Sequence, residues 1–481
     1  MRCSVNVRRM ALAAAERTRG LRHLLALSRG PSGASCVAVA RLLMLSLAVW
    51  LSPGAWAQPT GSPLPPGTDL SKPLTLADCI QLALAINPAV SIAGQSTRDA
   101  RAAADQVRAA QLPNLLLYAD TSASRGLRRS SSFGGSATGA IQTERNADVV
   151  LSQTFYQSGL REQIKAARAN VQASQFGERD AQRRVVVDVA QSYYTVLADR
   201  ALVEVAGRAL ATSEQHLEAA QYRIASGLSP AADRYPFEAE LAQARLQVIS
   251  SESDARVALA NLKQAIGLSA STSMEVADGL ARLAVPGVFD DLLQAAYRNR
   301  PEVHQLEAQI EAARMTLRAA EILHGPALGA NASLTYGSFT GLQGHEWTGL
   351  LALSLPLFDG GLTKARVDSA RAGLASIQET LLQTQISVGS EVERDYLQAV
   401  AADARIDAAE AAVRAAQVSL EAAEGKYAAG GGVGTVIDVT DAALKLRQAE
   451  TDRVQALYDL NSALAALRAA TGNTELIAGG P

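Results

Sequence analysis

Aromatic residues and cysteines are both scarce in this sequence. Phe, Trp and Tyr make up only 4% of its 481 residues, while Ala is very abundant. This composition is typical of long helices more than of a compact mixed core, and it argues against an ordinary globular enzyme. Of the three Cys, Cys3 and Cys36 lie in a segment that we expect to be removed, which leaves Cys79 without a partner for an intrachain disulfide.

Motifs for catalysis and metal binding are also missing. The segment GGGVGT lacks the Lys-Ser/Thr of a phosphate loop, and neither G-x-S-x-G nor H-E-x-x-H occurs. The five His are scattered without metal-ligand spacing, and we interpret them as solvent-exposed surface residues. The sequence therefore predicts no catalytic residues, no metal site and no cofactor.

No apolar run reaches the length of a transmembrane helix. The run VAVARLLMLSLAVWL has 15 residues and contains Arg41, whereas a membrane-spanning helix takes roughly 20. It precedes Ala55-Trp56-Ala57, a small-residue cleavage pattern, so we predict a signal peptide over 1–57, with an uncleaved anchor as the less favoured alternative. Cys36 precedes the run instead of following it, which disfavours a lipoprotein. If the mature chain enters a membrane, it must do so as strands.

The mature chain is predicted to be acidic. The first 57 residues carry eight Arg, one Glu and no Lys or Asp, so removing them changes the formal charge from −2 to −9. An acidic chain disfavours nucleic acid as a partner. Residues 58–73, QPTGSPLPPGTDLSKP, are rich in Pro and Gly and are predicted to be an extended leader without a fold of its own.

Two helical patterns follow, and the period then changes to that of strands. The segment LTLADCIQLALAIN predicts a short helix that ends at Asn87-Pro88, and an Ala-rich helix continues to Leu112-Pro113. Apolar and polar residues then alternate, which predicts a hairpin over 114–156 with a long loop at 125–143 and one apolar face. The strands are close to the 9 to 11 residues of a membrane barrel strand.

A helical pattern without Pro runs from Gly159 to Ile224. At about 1.5 Å per residue it predicts a helix near 100 Å long. Apolar residues recur along it at the seven-residue spacing of a coiled-coil seam. These residues are Val189, Val196, Val203, Leu210, Leu217 and Ile224. After the turn SGLSP, a helix of about 37 residues is predicted to return to Gly267.

The whole order is repeated in the second half of the chain. Asn87-Pro88 matches Arg300-Pro301 at an offset of 213, and both Asp233 with Asp438 and Gly267 with Gly472 match at an offset of 205. We therefore predict an internal two-fold repeat. Its parts are a first repeat at 74–267, a linker at 268–286, a second repeat at 287–472 with a hairpin at 327–358, and a tail at 473–481.

Four strands per chain cannot close a barrel, and an open sheet edge inside lipid leaves backbone groups unpaired. Three copies would supply 12 strands, an even number within the range of outer-membrane barrels. The two shorter helices of each repeat together nearly equal the long helix, so we expect them to stack end to end beside it. The predicted fold class combines long coiled-coil helices that form an α-barrel tunnel with a 12-stranded trimeric β-barrel.

Four segments in this order, duplicated, carry a family resemblance. They are LTLADCIQLALAINP, LSLPLFDGG, RPEVHQLEAQIEAARMTLRAAE and TVIDVTDAALKLRQAETDRVQALYDLNSALAAL. The chain resembles the TolC family of outer-membrane efflux and secretion channels from Leu74 to Gly472. The resemblance implies a homotrimer, inserted in outer-membrane lipid and extending into the periplasm. It also implies a periplasmic adaptor (membrane fusion protein) and an inner-membrane ABC transporter or RND pump as partners.

The same resemblance implies a pore constriction beside the helix turns. Asp438 and Asp441, at a spacing that puts both on one side of a helix, match the position of carboxylates that ring the narrow periplasmic mouth, and Asp233 is at the equivalent place in the first repeat. Three copies of each would attract cations and would have raised, coupled pKa values. The alternative is that an Asp near a helix start only stabilises the positive end of the helix dipole.

The second long helix carries the same seven-residue seam, which ends at Tyr427. Tyr427 matches a tyrosine that locks the gate in this family, although a Tyr in a seam can also simply pack. The turn AAGGGVGT that follows it has no basic residue to serve as an Arg partner. Five aromatic residues near hairpin ends are candidates for membrane-interface girdles, with ordinary packing as the alternative. They are Tyr118, Phe155, Tyr336, Trp347 and Phe358.

The predicted function is a passive exit duct and not an enzyme. Two uses of such a duct compete. One is type I secretion of a protein such as a repeat-containing (RTX) toxin, which the absence of a lipoprotein cysteine favours; the other is multidrug efflux with an RND-type pump. A periplasmic coiled-coil adaptor is the alternative of a different class. A periplasmic enzyme would need catalytic residues that the sequence lacks.

Overall fold

The computed structural model describes residues 72–125, 141–277, 279–339, 342–429 and 434–472, all of which lie in one compact unit, Leu64–Pro481. The helices of these residues are α1 (Leu76–Ile86), α2 (Pro88–Ala109), α3 (Leu160–Ala225), α4 (Arg234–Ile266), α5 (Phe289–Asn299), α6 (Pro301–Glu321), α7 (Leu362–Ala429) and α8 (Val436–Ala470). The strands are β1 (Asn114–Arg125), β2 (Ile141–Gln157), β3 (Ala327–Phe339) and β4 (Leu342–Ser354). Within the described residues, no single helix has both the length and the hydropathy to cross a membrane; α1 and α2, bent by 43°, meet that test only when taken together.

Local capping sets the start of the first two helices. The Thr75 side chain accepts a hydrogen bond from the Asp78 backbone N–H, and the Asp78 carboxylate accepts one from the Thr75 N–H, which forms a capping box at α1. The Asn87 side chain then accepts from the Ala89 N–H with Pro88 as the first residue of α2. The chain therefore bends at Asn87-Pro88 because one helix ends and another is capped there.

The long helices form four columns side by side. Helix α3 packs against α2 and α4 on one side and against α6 and α8 on the other, and α7 packs against α6 and α8. The helices α3 and α7 have 66 and 68 residues, about 100 Å each at 1.5 Å per residue. The two outermost columns of the row are therefore α2 with α4 on one side and α7 on the other.

The shorter helices of each repeat stack end to end, as the sequence predicts. Asn87 Nδ2 donates to the Ala265 carbonyl at 2.6 Å, which joins the start of α2 to the end of α4. In the second repeat, Arg300 Nε donates to the Ala470 carbonyl at 2.6 Å. Arg300 is 1% exposed and its Nη1 also pairs with Glu391 at 2.7 Å. Different side chains thus make the same junction in the two repeats.

The linker between the repeats lies along the columns. Leu74 and Val276 form a parallel bridge, and Arg282 pairs with Asp403 and Asp407 on α7 at 2.8 and 2.6 Å. The Asn461 side chain donates to the Ala281 carbonyl at 2.9 Å. The linker therefore fastens α1 of the first repeat to α7 and α8 of the second.

The four strands form one antiparallel sheet in the order β1-β2-β3-β4, so both hairpins share it and β1 and β4 are its edges. The register aligns rows of residues across all four strands. One row is Leu117, Val149, Leu334 and Trp347; the next, on the opposite face, is Tyr118, Asp148, Thr335 and Glu346. The sheet therefore has one apolar face and one polar face.

Three boundaries differ from the sequence prediction. The second hairpin was expected to extend to residue 358, but β4 ends at Ser354 because Pro356 follows and cannot donate to a sheet ladder. The return helices α4 and α8 have 33 and 35 residues, shorter than the expected 37. In the first repeat the reason is a 3₁₀ turn at Ala231–Asp233, which follows Pro230 and delays the start of α4. The first hairpin loop lies mostly outside the described residues.

Both long helices start at a glycine junction below the sheet. Gly159 has a φ of 86°, and a Cβ placed there would lie 2.9 Å from the Ala319 carbonyl oxygen, so this position requires glycine. At the second junction, the Asp359 carboxylate accepts hydrogen bonds from the backbone N–H groups of Gly361 and Thr363 at 3.0 and 2.8 Å. The junctions thereby turn each strand directly into a long helix.

Candidate functional site

The two helical hairpins pack together at the end far from the sheet. Helix α3 ends and α4 begins there in the first repeat, and α7 ends and α8 begins there in the second. All four helices contribute to one apolar cluster, which we call the tip core. Its buried members are Ala220, Phe237, Leu420, Ala423, Val436, Val439 and Ala442. The candidate residues Asp233, Asp438, Asp441 and Tyr427 all lie on the elements around it.

Asp438 caps a helix. It is the third residue of α8, and its Oδ2 accepts hydrogen bonds from the backbone N–H and the Oγ1 hydroxyl of Thr435, each at 2.8 Å. These bonds from Thr435 lower the pKa of Asp438 below its ordinary value. Within one chain this cap stabilises the ionised form of Asp438, and the raised, coupled pKa values that we expect of a three-chain carboxylate ring stay a prediction.

Asp441 and Asp233 have different surroundings. Asp441 is exposed one turn after Asp438 and lines a groove of about 690 Å³ between the hairpins, together with Glu240, Glu421 and Glu424. Asp233 is half-buried at the end of the 3₁₀ turn, and its side chain makes no capping hydrogen bond to α4. Of the three aspartates, Asp438 and Asp441 share one exposed helix surface.

Tyr427 contacts an arginine that the sequence analysis missed. The guanidinium of Arg223, on α3, lies 4.9 Å from the centre of the Tyr427 ring, and Phe237 packs edge-on against the same ring at 5.8 Å. Arg223 Nη1 also donates to the Ala428 carbonyl at 2.9 Å. The Tyr427 hydroxyl is buried without a hydrogen-bond partner.

The sequence analysis considered only the turn of the second repeat as a source of a basic partner for Tyr427. The partner comes from the first repeat. An offset of 205 pairs Arg223 with position 428, so the repeat alignment itself contained the signal that Arg223 and Tyr427 lie at the same height.

His216 is a second residue that the sequence analysis misjudged. It is only 8% exposed, so the expectation that all His lie on the solvated surface is wrong for this one. Its Nε2 lies 2.9 Å from Glu424 Oε1 on α7, and its Nδ1 lies 3.5 Å from Glu240 Oε1 on α4. Burial lowers the pKa of His216, but the adjacent carboxylates of Glu240 and Glu424 outweigh that effect, and the pKa is raised.

The sheet separates the five girdle candidates. Tyr336 and Trp347 lie on the apolar face, whereas Tyr118 pairs with Asp148 on the polar face. Phe155 occupies a β-bulge between Thr154 and Tyr156, which changes the direction of its side chain relative to the strand alternation. Phe358 follows β4 and is 91% exposed.

The apolar face has the height of a membrane layer. From Leu328 to Tyr336 it spans nine residues of β3, that is eight steps or about 27 Å at 3.4 Å per step before any strand tilt. Outer-membrane barrels carry an apolar band of about 25 Å. In one chain the large side chains of this face are exposed: Leu115, Leu117, Val149, Leu151, Leu334, Tyr336, Trp347, Leu351 and Leu353.

Metal ligands are not grouped in the described part of the chain. Over 72–125, 141–277, 279–339, 342–429 and 434–472, no three His, Cys, Asp or Glu side chains are placed to hold an ion. The one described cysteine, Cys79, is buried on α1, and burial followed by the charge of Asp78 raises the pKa of its thiol to about 12.

Comparison with known proteins gives one family and one fold. The family described as "Outer membrane efflux protein" matches residues 79–268 and 292–473. Protein CyaE of Bordetella pertussis is 28% identical over 381 residues, 77% of this chain and 78% of that protein. The pyoverdine export outer membrane protein OpmQ of Pseudomonas aeruginosa is 25% identical over 402 residues, 80% of this chain and 84% of that protein.

Solved structures share the architecture at low sequence identity. The outer membrane protein VceC of Vibrio cholerae is 21% identical and superimposes with a TM-score of 0.68 over 82% of this chain and 96% of that one. This likeness confirms the predicted fold class of long helices with four antiparallel strands and an internal repeat.

Proposed function

Because the chain belongs to the outer membrane efflux protein family of channels, which lie in the outer membrane and extend into the periplasm, we propose that three copies form the passive exit duct of a tripartite export system. Membership of this family confirms the resemblance noted in the sequence. The observation that carries the proposal is the pairing of a two-faced sheet, apolar on one side and polar on the other, with helical columns about 100 Å long.

The open sheet supports the proposed homotrimer. With β1 and β4 as its edges, the four-stranded sheet leaves two rows of backbone groups that lipid cannot satisfy. Pairing β1 of one copy with β4 of the next closes a ring, and three copies give the 12 strands expected from the sequence. The polar face would then line the lumen and the apolar face would contact outer-membrane lipid.

Partners supply the energy and the choice of cargo, since neither the sequence nor the site offers catalytic groups. We propose a periplasmic adaptor at the tips and, beyond it, an inner-membrane ABC transporter or RND pump. The match of the family over both repeats favours a channel over the adaptor that the sequence left as an alternative.

For the cargo, we propose type I secretion of a protein such as an RTX toxin, supported by the absence of a lipoprotein cysteine after the apolar run of the leader. The second candidate is small-molecule efflux with an RND-type pump. It is supported by OpmQ, whose name assigns it to pyoverdine export.

The pore constriction is proposed at Asp438 and Asp441, with Asp233 as a third contributor. A lowered pKa keeps Asp438 ionised at periplasmic pH, so the capping role and a cation-attracting ring are compatible. Tyr427 is proposed to hold the two hairpins together beside this ring.

Single-channel recording tests the proposal. The purified mature protein in a planar bilayer should give discrete, cation-selective steps under a salt gradient, and the double variant Asp438→Asn, Asp441→Asn should lose most of that selectivity. The control Asp290→Asn, Asp291→Asn removes two carboxylates from the first turn of α5 and should leave selectivity unchanged. The absence of steps would refute the duct, and equal effects of both pairs would refute the ring.

A further inference from the structure

One buried histidine connects the two repeats at the tip. His216 lies on α3, nine residues before that helix ends at Ala225. Glu240, on α4, belongs to the same hairpin, whereas Glu424, on α7, belongs to the other. The imidazole therefore lies between a carboxylate of its own hairpin and a carboxylate of the other hairpin.

The surroundings hold the ring in place. Phe237 packs against it with ring centres 5.7 Å apart, and Ser213 Oγ donates to Glu240 Oε1 at 3.3 Å, which fixes one of the two carboxylates. His216 Nδ1 has no hydrogen-bond partner within the usual limit, since Glu240 is 3.5 Å away. A small closure of α4 onto α3 would complete that bond.

Other charged and titratable groups around this cluster come from three helices. The cavity beside His216 is also lined by Glu218, Tyr222 and Arg223 on α3, by Tyr427 on α7 and by the apolar Val439 on α8. A neighbouring groove that contains Glu240 and Glu424 is also lined by Arg208 on α3, by Glu421 on α7, and by Asp441, Arg447 and Glu450 on α8. Arg223 is engaged by the Tyr427 ring and the Ala428 carbonyl. Glu240 and Glu424 are therefore the charges in direct contact with the imidazole.

We propose that His216 is a pH-dependent latch, which holds the two helical hairpins together at the tip when its imidazole is protonated. A neutral imidazole can donate to only one of the two carboxylates, because its other nitrogen carries no hydrogen. A protonated one donates to both and offsets their charges. A neutral imidazole with its hydrogen on Nε2 still donates to Glu424, but it carries no charge to offset the two carboxylates, so the link between the hairpins is stronger in the cationic form.

The direction of the pH effect follows from linkage. The packed arrangement raises the pKa of His216 above its ordinary value of 6.5, and separation of the hairpins removes Glu424 and lowers it again. The stabilisation of the packed tip is therefore complete below about pH 6.5 and is lost as the pH rises through the raised pKa. Within that window, each pH unit changes the ratio of packed to separated tips by up to about tenfold. This inference rests on the proposed function only where a separated tip is equated with an open duct.

Distance measurement between spin labels tests the latch directly. Labels at Gln221→Cys on α3 and Ala422→Cys on α7, two exposed positions near the tip, report hairpin separation in the mature Cys79→Ala protein, from which Cys3 and Cys36 are absent. The short-distance population should be larger at pH 5.5 than at pH 8.5 in the parent protein, values that bracket the ordinary histidine pKa of roughly 6.5. In His216→Gln the populations at the two pH values should be equal.

Two further variants keep the test decisive. Glu424→Gln leaves the histidine and the tip core in place but removes the carboxylate of the second hairpin, so it should also abolish the pH response. His304→Gln is the control, because His304 lies on α6, away from the tip, where its Nδ1 pairs with Glu307 at 3.0 Å. This variant should respond to pH as the parent does. A pH response that persists in both His216→Gln and Glu424→Gln, or that is absent from the parent, would overturn the latch.

Channel recording separates this inference from the proposed function. If channels form and their open fraction rises with pH in the parent but not in His216→Gln, both hold. Channels whose pH response is the same in His216→Gln would refute the latch alone, because the duct would still conduct.

Discussion

At the scale of single residues, the tip is held by contacts between side chains from different repeats. Arg223 lies over the Tyr427 ring at 4.9 Å, and His216 lies between Glu240 and Glu424. The contacts of Arg223 with Ala428 and of His216 with Glu424 join α3 to α7, at positions 205 and 208 residues apart in the chain. The stability of the packed tip therefore depends on a few polar contacts at the rim of a small apolar core.

The arginine, and not the tyrosine hydroxyl, should control this contact. Arg223→Gln removes the cation over the ring, an interaction worth roughly 0.5–2 kcal/mol, and should raise the open fraction of single channels several-fold. Tyr427→Phe keeps the ring and removes a hydroxyl that has no hydrogen-bond partner, so it should behave as the parent. An open fraction that rises in Tyr427→Phe but not in Arg223→Gln would contradict this assignment.

At the scale of elements, each strand of the sheet contributes residues to both an apolar face and a polar face. Neighbouring residues in the same strand face opposite ways: Leu334 aligns with Val149 and Trp347, whereas Thr335 aligns with Asp148 and Glu346. Since the strand alternation has a period of two, a single register fixes which residues share the apolar face and which share the polar face.

The two faces should therefore differ sharply in their tolerance of charge. Leu334→Arg places a cation in the apolar band, at a cost of roughly 2–4 kcal/mol near the bilayer midplane, and should reduce the fraction of protein that inserts into liposomes. Thr335→Arg puts the same side chain beside Asp148 and Glu346 and should insert as the parent does. Equal insertion of the two variants would mean that the sheet does not lie in the membrane in this orientation.

At the scale of the whole molecule, one chain has two unmatched edges. Exposed large apolar residues occur on α4 at Leu246, Ile249 and Val257 and on α7 at Ile386, Leu397 and Val418. Ile249 and Val418 lie at similar heights, about 22 and 17 Å from the tip ends of their helices. A heterologous contact between the α4 edge of one copy and the α7 edge of the next would bury both and close a ring.

Oligomer mass is the readout for these edges. The parent should have the mass of three chains in detergent, and either Ile249→Glu or Val418→Glu should shift it toward one chain, because each interface uses one edge of each kind. Leu228→Glu, at a tip residue that is 66% exposed and belongs to neither edge, is the matched control and should leave the trimer intact. A trimer that survives both edge substitutions would place the interface elsewhere.

The sequence by itself determined the repeat, the long helices and the two-faced strands, because these depend on local period and on Gly and Pro positions. The position of Asp438 near a helix start also indicated a role at the positive end of the helix dipole, and the structure adds the capping box that it forms with Thr435. Only the tertiary structure decided the pairing of β2 with β3, which merges the two hairpins into one sheet, since no local pattern encodes a partner about 190 residues away.

The tertiary structure also decided the partners of Arg223, His216 and Arg300. His216 could not be distinguished from a surface residue by its neighbours in sequence, because the carboxylates that change its protonation come from α4 and α7. Burial and charge are properties of positions in space. For that reason the composition and periodicity of this chain predict its helices, strands and repeat. The proposed pH dependence of the tip could be inferred only from the packing of α3, α4, α7 and α8.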